Sequence, residues 1–557
     1  IPPETQFFLA DVGEGMYVLV LPLVGNSFRT ALWGAEKGAI DVRLESGDPA
    51  VKTKLVATSV LISAGTDPFL LLERAFAAAA DRLGTFRIRA EKQLPPSLDV
   101  FGWCTWDAFY SAVEPQGVKD GLRQLAAGGT PSRMLILDDG WQSTDNDADY
   151  RFSDSEVRGD PEITRSVCPL AIRARAHVSQ RHPSAHPHVL STLVRELKSD
   201  YGLKYTYCWH ALTGYWLGVD PNSPGMARYK PVIQYPCINP HFDYTPGVLS
   251  AEPTMAWNPS SFVGAFFNEL HQSLHDAGIE GVKCDAQAAI TMLGAGYGGG
   301  PKITRAYIHA MENSVAEHLD GNCINCMCHP TENIYSFQKT AVARASDDFY
   351  PREPASHTVH ILNVVYNTLF LGEIVHPDWD MFQSEHPAAR LHAAARAVGG
   401  CAVYTSDRPD VHDFTLLRKL VLPDGAVLRA RLPGRPTRDC LFADPATDGK
   451  TGLKVWNRNF HGGVIGAFNL QGACWDRSIR NFRVWPPPSE HYLGLVYVLF
   501  DMIYRCTVRY DIWSWKGTFN LEGACWDRSI RNFRVWPLDP PPQIIPFLLT
   551  TSGFDII

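Results

Sequence analysis

Between residues 95 and 415 the chain alternates short apolar segments with longer helical patterns, and this alternation restricts its fold more than any other feature. Eight segments have the length and composition of strands: residues 100–104, 133–137, 204–209, 281–284, 322–327, 340–345, 369–374 and 401–405. Helical patterns lie between many of them, for example at 260–277 and 387–397. Strands that alternate with helices in this way pair side by side in a parallel sheet. The pattern therefore predicts an α/β fold with a central (β/α)8 TIM barrel.

The segments on either side of the predicted barrel have a different character. Residues 1–94 carry short apolar runs at 16–24 and 55–62, separated by glycine and proline, and one helical pattern at 68–83. Residues 416–557 are rich in proline, tryptophan and short β-like runs. Because such runs between turn residues are typical of strands, we expect a β-rich N-terminal domain (1–94), the barrel (95–415) and a β-rich C-terminal domain (416–557).

The C-terminal region contains an internal repeat. Residues 469–486 read NLQGACWDRSIRNFRVWP and residues 520–537 read NLEGACWDRSIRNFRVWP, so that only Gln471 and Glu522 differ. Structural repeats normally keep their apolar positions and lose their surface residues. Near-identity instead indicates a very recent duplication or an error in the determined sequence, and we favour the second explanation.

Charge, hydropathy and cysteine usage argue against several functions. The net charge is −8 and the basic residues are scattered, whereas nucleic acid requires a concentrated basic face. No apolar run reaches the roughly 18 residues of a membrane span. The 13 cysteines, an odd number, favour buried reduced thiols over a disulfide framework, and a cytoplasmic location is expected. The spacing of Cys323, Cys326, Cys328 and His329 matches no complete zinc motif. We therefore predict neither a metal nor a cofactor.

Acidic and aromatic residues follow the candidate strands at the points where the strands end. They are Asp138-Asp139, Trp209-His210, Asp285, Asp347-Asp348, Asp378-Trp379-Asp380 and Asp407. Any one aspartate in such a position could cap a following helix, but capping explains the repeated placement poorly. In a barrel, this end of the strands carries the chemistry.

Asp285 is the first catalytic candidate, because glycosidic-bond cleavage requires one carboxylate and one carboxylic acid on opposite sides of a sugar. In an extended strand Lys283 and Asp285 face the same way. A nearby ammonium would keep the aspartate ionised, as a nucleophile requires. A salt-bridged Lys–Asp pair without a catalytic role is the alternative interpretation.

The second carboxylate is expected from the segment Arg344-Ala345-Ser346-Asp347-Asp348. Period-two counting puts Arg344, Ser346 and Asp348 on one face of a strand. This favours Asp348 as the general acid/base and Arg344 as a ligand of sugar hydroxyls. A bulge at the strand end would exchange the two aspartates, so Asp347 is the second choice.

Further sugar contacts are expected from the segment Asp138-Asp139-Gly140-Trp141, which combines carboxylates for hydroxyl groups with an aromatic face. Five tryptophans are candidates for the pocket wall: Trp103, Trp106, Trp141, Trp209 and Trp379. Because tryptophan is also a common core residue, about half of them are expected to be structural.

Seven segments together resemble the plant raffinose synthase and alkaline α-galactosidase family, which includes the seed imbibition proteins. They are FGWCTWDAFY (101–110), LILDDGWQS (135–143), LKYTYCWHALTGYW (203–216), GIEGVKCDAQ (278–287), RASDDFYPREPASH (344–357), LGEIVHPDWDMFQSEHP (371–387) and LPDGAVLRARLPGRPTRDCLFADP (422–445). The count of eight strands rests partly on this resemblance. The N-terminal region is shorter than the family's and is expected to be incomplete, and residues after about 475 do not look like the family's closing β-domain.

The resemblance implies an α-galactosidase-type barrel that retains configuration through a galactosyl-enzyme intermediate. By the family's motifs Asp285 is the nucleophile and Asp348 the acid/base, and Asp138, Asp139 and Asp380 match galactose-hydroxyl ligands. The implied substrates are galacto-oligosaccharides such as raffinose, stachyose, melibiose and galactinol.

Three functions are compatible with the resemblance. Residues 352–357 run on without the extra segment of the synthases, which favours an α-galactosidase that hydrolyses raffinose-type oligosaccharides. The alternatives are a galactosyltransferase that uses the same intermediate, and an inactive sugar-binding or storage protein.

Overall fold

The computed structural model describes most of the barrel region and its N-terminal flank. It covers residues 1–53, 58–142, 145–146, 174–175, 187–216, 218–219, 224–234, 236, 254–256, 262–460, 462–476, 481–484 and 496–500. The second copy of the repeat, at 520–537, lies outside the described residues, as does part of the predicted strand at 55–62.

Eight parallel strands form the centre of the molecule. In chain order, the first to eighth barrel strands are Phe101–Cys104, Met134–Leu137, Tyr205–Ala211, Gly281–Asp285, Cys323–Asn325, Val342–Arg344, His376–Asp378 and Val403–Thr405. Each strand pairs with the one that precedes it in the chain up to the seventh, and the eighth pairs with the first. A parallel bridge between Phe382 and Thr405 joins the remaining edge. The predicted (β/α)8 barrel is therefore confirmed.

The barrel strands are almost continuously buried, as strands covered on both faces must be. In the second strand, for example, all four residues of Met134–Leu137 are buried. Helices pack outside the sheet and also connect the flanking regions: Pro68–Leu83, Trp106–Phe109, Pro115–Ala127, Pro187–Tyr201, Pro224–Ala227, Val263–Asp276, Gly300–His318, Thr331–Ile334, Ser356–Ile374, Ala389–Gly399 and Phe414–Leu417. Among the described residues, no helix is both long and apolar enough to cross a membrane.

One predicted strand was wrong. Residues 369–374 form the last turns of the helix Ser356–Ile374, and the seventh strand begins only at His376. This helix is buried around most of its circumference, so its final apolar run shows no helical period. A short buried run of this kind cannot be distinguished from a buried strand by periodicity alone.

The N-terminal region contains antiparallel strands and one long helix. Its strands are Phe8–Gly13, Met16–Pro22, Arg29–Gly34, Ile40–Glu45 and Val60–Gly65, arranged as a three-stranded and a two-stranded sheet. The predicted helix at 68–83 is observed as Pro68–Leu83. Asp67 caps its start by accepting from two backbone N–H groups, and Gly84 ends it at φ 64° in the left-handed region.

The described part of the C-terminal region is also antiparallel. Arg435–Pro436, Leu453–Arg458, Gly463–Phe468 and Val496–Phe500 form one sheet, and Ala473–Asp476 pairs with Asn481–Val484 within the first copy of the repeat. Two further short pairs join Asp145–Asn146 to Ala174–Arg175 and Val232–Gln234 to Thr254–Ala256. The domain boundaries at 94 and 415 stay a prediction.

Candidate active site

The acidic residues singled out in the sequence lie at the carboxyl ends of five barrel strands. Asp138 and Asp139 follow the second strand, Asp285 ends the fourth, Asp347 and Asp348 follow the sixth, Asp378 ends the seventh shortly before Asp380, and Asp407 follows the eighth. All the strands are parallel, so these ends meet at one face of the barrel. Six of these carboxyl groups are at least nine-tenths buried: Asp138, Asp139, Asp285, Asp378, Asp380 and Asp407.

Asp285 is fixed by two hydrogen bonds and surrounded by charge. Trp209 Nε1 donates to Asp285 Oδ2 at 2.9 Å, and the backbone N–H of Ala286 donates to Oδ1 at 2.6 Å. Burial raises the pKa of Asp285, the charge of Asp348 raises it further, and the ammonium of Lys283 opposes both. The two predicted catalytic carboxylates are therefore close enough to affect each other electrostatically.

Lys283 forms its direct ion pair with Asp138 and not with Asp285. Its ammonium binds Asp138 Oδ2 at 2.7 Å, and both side chains are buried. Asp138 is held further by Cys104 Sγ at 3.3 Å and by its own N–H, which donates to Thr105 Oγ1 at 3.0 Å. The ammonium predicted to stabilise the ionised form of Asp285 is thus held in place by Asp138, which follows the second strand.

Arg344 is a buried centre for several of the acids. Its guanidinium lies 2.9 Å from Asp348 Oδ1 and 2.9 Å from Asp380 Oδ1, and Nε lies 3.8 Å from Asp378 Oδ1. Only 1% of its side chain is exposed. This geometry is that of a group that positions carboxylates, and its predicted contact with sugar hydroxyls stays a prediction.

Asp348 and Asp347 are more accessible than the other acids. The side chain of Asp348 is 30% exposed although one of its oxygens is held by Arg344. Asp347 is also partly buried, and its backbone carbonyl accepts from Ser346 Oγ at 2.9 Å. Arg344 and Asp348, which period-two counting put on one face, are therefore in direct contact.

Asp139 has two partners that sequence reasoning missed. Tyr215 OH donates to Oδ1 at 2.8 Å and Trp216 Nε1 donates to Oδ2 at 3.0 Å. Burial nevertheless raises the pKa of Asp139 to about 6. Both partners belong to the segment LKYTYCWHALTGYW, so the only signal was their place in a family motif.

Two further contacts organise this face. Gly140 adopts φ 112°, and a Cβ there would lie 2.7 Å from the backbone of Ser111, so only glycine fits the turn after Asp139. Tyr404 OH donates to Asp378 Oδ1 at 2.7 Å, a contact between two strands that no local sequence pattern indicates.

The candidate tryptophans occupy different environments. Trp103 and Trp379 are completely buried, and Trp209 is 1% exposed while its Nε1 reaches Asp285. Trp141 is only half-buried and donates from Nε1 to the carbonyl of Trp209 at 2.8 Å. Trp106 lies in the helix that follows the first strand and is 8% exposed.

Among the described residues, no group of three or more His, Cys, Asp and Glu side chains could hold a metal ion. The cysteines near 326 have other contacts instead. Cys323 Sγ donates to Asn325 Oδ1, Cys326 Sγ accepts from Arg344, and His329 Nε2 binds the carbonyl of Arg344 at 2.7 Å. The segment thus supports the arginine that holds Asp348.

Comparison with known proteins gives several matches. The chain is 46% identical over 508 residues to the probable galactinol–sucrose galactosyltransferase 6 of Arabidopsis thaliana, which covers 86% of this chain and 65% of that protein. It is 30% identical over 582 residues to the stachyose synthase of Pisum sativum, covering 89% of this chain and 68% of that protein. A solved α-galactosidase from Thermus thermophilus in complex with stachyose aligns with a TM-score of 0.47 at 14% identity, over 74% of this chain and 78% of that one.

The chain spans about 65% of the length of the first of these relatives. The model of the family described as raffinose synthase or seed imbibition protein Sip1 matches residues 1–499. The match includes the whole barrel and every candidate site residue named above. The chain therefore belongs to the family of raffinose synthases and seed imbibition proteins.

Proposed function

We propose that the chain transfers a galactosyl group from galactinol to sucrose by a double displacement. The observation that carries the proposal is the placement of Asp285 at the end of the fourth strand and of Asp348 just after the sixth, so that both carboxyl groups lie at one face of the barrel. The names of the relatives, galactinol–sucrose galactosyltransferase and stachyose synthase, support transfer rather than the hydrolysis expected from the sequence.

In the first step the Asp285 carboxylate attacks C1 of the galactosyl group. The bond from C1 to the leaving oxygen breaks with its electron pair going to that oxygen, and the carboxylic acid of Asp348 donates a proton to it. The products are a galactosyl ester of Asp285 and the released alcohol. Burial and the hydrogen bonds from Trp209 and Ala286 hold the nucleophile in one orientation.

In the second step a hydroxyl of the acceptor attacks C1 from the side that the leaving group occupied. Asp348, now a carboxylate, takes the hydroxyl proton, and the ester bond to Asp285 breaks to restore its carboxylate. Two inversions retain the α configuration. An acceptor sugar gives transfer and a water molecule gives hydrolysis, so the same residues serve both reactions.

Asp348 is preferred to Asp347 as the acid/base because of its contacts. It combines a 30% exposed side chain, which can reach a substrate, with an anchor on the buried Arg344. A group that exchanges protons with substrate needs both accessibility and a fixed position. Hydrolysis is the second candidate function, favoured by the uninterrupted run of residues 352–357, which lacks the extra segment of the synthases.

The test is product analysis with the full chain. Galactinol alone, galactinol with sucrose, and raffinose alone are incubated with wild type and with Asp285→Asn. We expect raffinose only when sucrose accompanies galactinol, and no product from the variant. Asp276→Asn is the matched control, because Asp276 is exposed at the end of the helix Val263–Asp276.

The other outcomes separate the alternatives. Free galactose from raffinose, with no transfer to sucrose, would replace transfer by hydrolysis. No product from wild type under any condition would support a sugar-binding protein. A 2-deoxy-2-fluorogalactosyl fluoride should label the nucleophile covalently, and a label found on a peptide without Asp285 would refute its assignment.

A further inference from the structure

Asp107 is a buried carboxyl group at the same face of the barrel that the proposed mechanism leaves unused. It lies in the helix Trp106–Phe109 directly after the first strand and is 6% exposed. Ser406, completely buried after the eighth strand, donates from Oγ to Asp107 Oδ2 at 2.6 Å. The first and eighth strands are neighbours in the barrel, so this bond fixes Asp107 at their joint end.

The residues around Asp107 connect it to the proposed site on both sides. On one side, Thr105 accepts a hydrogen bond from the N–H of Asp138. On the other, Tyr404, two residues before Ser406, donates to Asp378 Oδ1 at 2.7 Å and lies 3.5 Å from Asp380 Oδ1. Asp107 therefore lies between two groups of acids that face the barrel opening.

The two carboxyl oxygens of Asp107, Oδ1 and Oδ2, have different environments. Among the residues that the structure describes, no hydrogen bond to Oδ1 is formed, whereas Oδ2 is occupied by Ser406. Burial raises the pKa of Asp107 well above its usual range, against the Ser406 hydrogen bond, and the charges of Asp380, Asp348 and Asp138 raise it further. Because Ser406 donates to Oδ2, the proton of the neutral acid belongs on Oδ1.

A sugar in this pocket would meet many more acceptors than donors. An ionised aspartate can only accept hydrogen bonds, whereas each sugar hydroxyl both donates and accepts. The strongest donors nearby, Lys283 and Arg344, are already engaged by Asp138, Asp348 and Asp380. A neutral carboxylic acid would add a donor to this predominantly acidic face of the barrel.

We propose that Asp107 contacts the substrate as a neutral acid whose Oδ1–H donates to one hydroxyl oxygen of the galactosyl group. The inference rests on the proposed function, since it assumes that the pocket binds an α-galactoside. It adds a specificity-determining residue to the site and names the feature that this residue recognises, one galactose hydroxyl.

The first test compares two substitutions by steady-state kinetics with galactinol. Asp107→Ala removes the donor and is expected to raise KM for galactinol ten- to hundredfold. Asp107→Asn returns an N–H donor of similar size and is expected to recover at least a tenth of the wild-type kcat/KM. Asp200→Ala, at an exposed position beside the amino end of the third strand, is the control. Unchanged KM in Asp107→Ala, or an Asn variant as poor as the Ala variant, overturns the inference.

The second test identifies the hydroxyl. Galactosides that each lack one hydroxyl are compared in wild type and Asp107→Ala, and the variant is expected to lose the wild-type discrimination at one position only. Equal discrimination in both proteins overturns the inference. If the Ala variant does not fold, Asp107→Ser, whose shorter side chain is expected to lose the contact, takes its place.

Wild-type turnover in the same experiments separates the two proposals. If wild type transfers galactose and Asp107→Ala behaves identically, only the role of Asp107 fails. If wild type neither turns over galactinol nor binds galactose by calorimetry, the proposed function fails and the inference fails with it.

Discussion

Lys283 Nζ lies 2.7 Å from Asp138 Oδ2, and the two residues form a buried ion pair that joins the fourth strand to the end of the second. The lysine still acts on Asp285, because its charge opposes the rise that burial causes in the pKa of that carboxyl group. Lys283 therefore pairs directly with Asp138 and also favours the ionised form of the proposed nucleophile, Asp285.

Lys283→Met is expected to destabilise the protein by about 3–5 kcal/mol, since it leaves Asp138 as an uncompensated buried charge. The double variant Lys283→Met/Asp138→Asn should recover much of this loss, because the unpaired charge is then removed. Urea unfolding of wild type, both single variants and the double variant measures the coupling. Additive losses in the double variant would contradict the buried pair.

The partners of Lys283 and Arg344 show which contacts can be predicted from the sequence and which cannot. Period-two counting put Lys283 with Asp285 and Arg344 with Asp348, and only the second pair is in direct contact, between the last residue of the sixth strand and a residue that follows its end. The partners Asp138 for Lys283 and Asp380 for Arg344 come from other strands. Such contacts depend on how the barrel closes, and no local pattern records them.

The same limit explains what was missed around Asp139. The positions of the acids at strand ends could be predicted, because the alternation of strand and helix patterns in the sequence shows where each strand ends. Tyr215 and Trp216 reach Asp139 only because the segment after the third strand folds beside the second. The seventh strand was misplaced for a different reason, since the helix Ser356–Ile374 is buried around most of its circumference and its last residues, 369–374, are all buried.

Asp347 and Asp348 can be separated by the leaving group of the substrate. Asp348→Ala should lower kcat for galactinol by about 10²–10⁴-fold, the usual contribution of a general acid. A galactosyl donor with a fluoride or nitrophenolate leaving group should be much less affected, because it needs no protonation. Added azide should then give α-galactosyl azide, since it needs no general base.

Asp347→Ala is the matched control for that experiment. If Asp348 is the acid/base, the Asp347 variant should show neither the leaving-group dependence nor the azide product. The reverse pattern, with azide rescue only in Asp347→Ala, would assign the role to Asp347 instead.

Tyr215→Phe is expected to shift the pH dependence of galactose binding upward. The tyrosine stabilises the ionised form of Asp139, and burial already raises the pKa of this group to about 6. Without the hydrogen bond the pKa rises further, so affinity should fall more at pH 6 than at pH 8. Calorimetry across this range measures the shift, with Tyr205→Phe at the opposite end of the third strand as control. Parallel pH profiles for Tyr215→Phe and wild type would contradict the role of this bond.

A histidine cluster behind the Asp347–Asp348 segment predicts loss of stability in acid. Arg396 donates to His392 Nδ1 at 2.7 Å, and His392 Nε2 lies 3.0 Å from His357 Nδ1. His392 must therefore be neutral and donate from Nε2. Nearby, His360 Nε2 binds the carbonyl of Trp379 at 3.0 Å. Protonation of any of these rings would put a cation beside Arg396 or remove an acceptor.

Burial lowers the pKa of His357 and of His360 to about 3, whereas an unfolded histidine titrates near 6.5. Between these values the unfolded chain binds more protons than the folded one. The contribution of these groups to the free energy of unfolding is therefore fully present above about pH 6.5 and falls as the pH drops toward 3, by up to about 1.4 kcal/mol per pH unit for each group.

Urea unfolding followed by tryptophan fluorescence measures this slope at pH values from about 7.5 to about 4.5, a range that includes the unfolded pKa. His357→Gln should reduce the slope, while His275→Gln, at an exposed position, should leave it unchanged. An identical slope in wild type and His357→Gln would show that the ring is not held neutral by the fold.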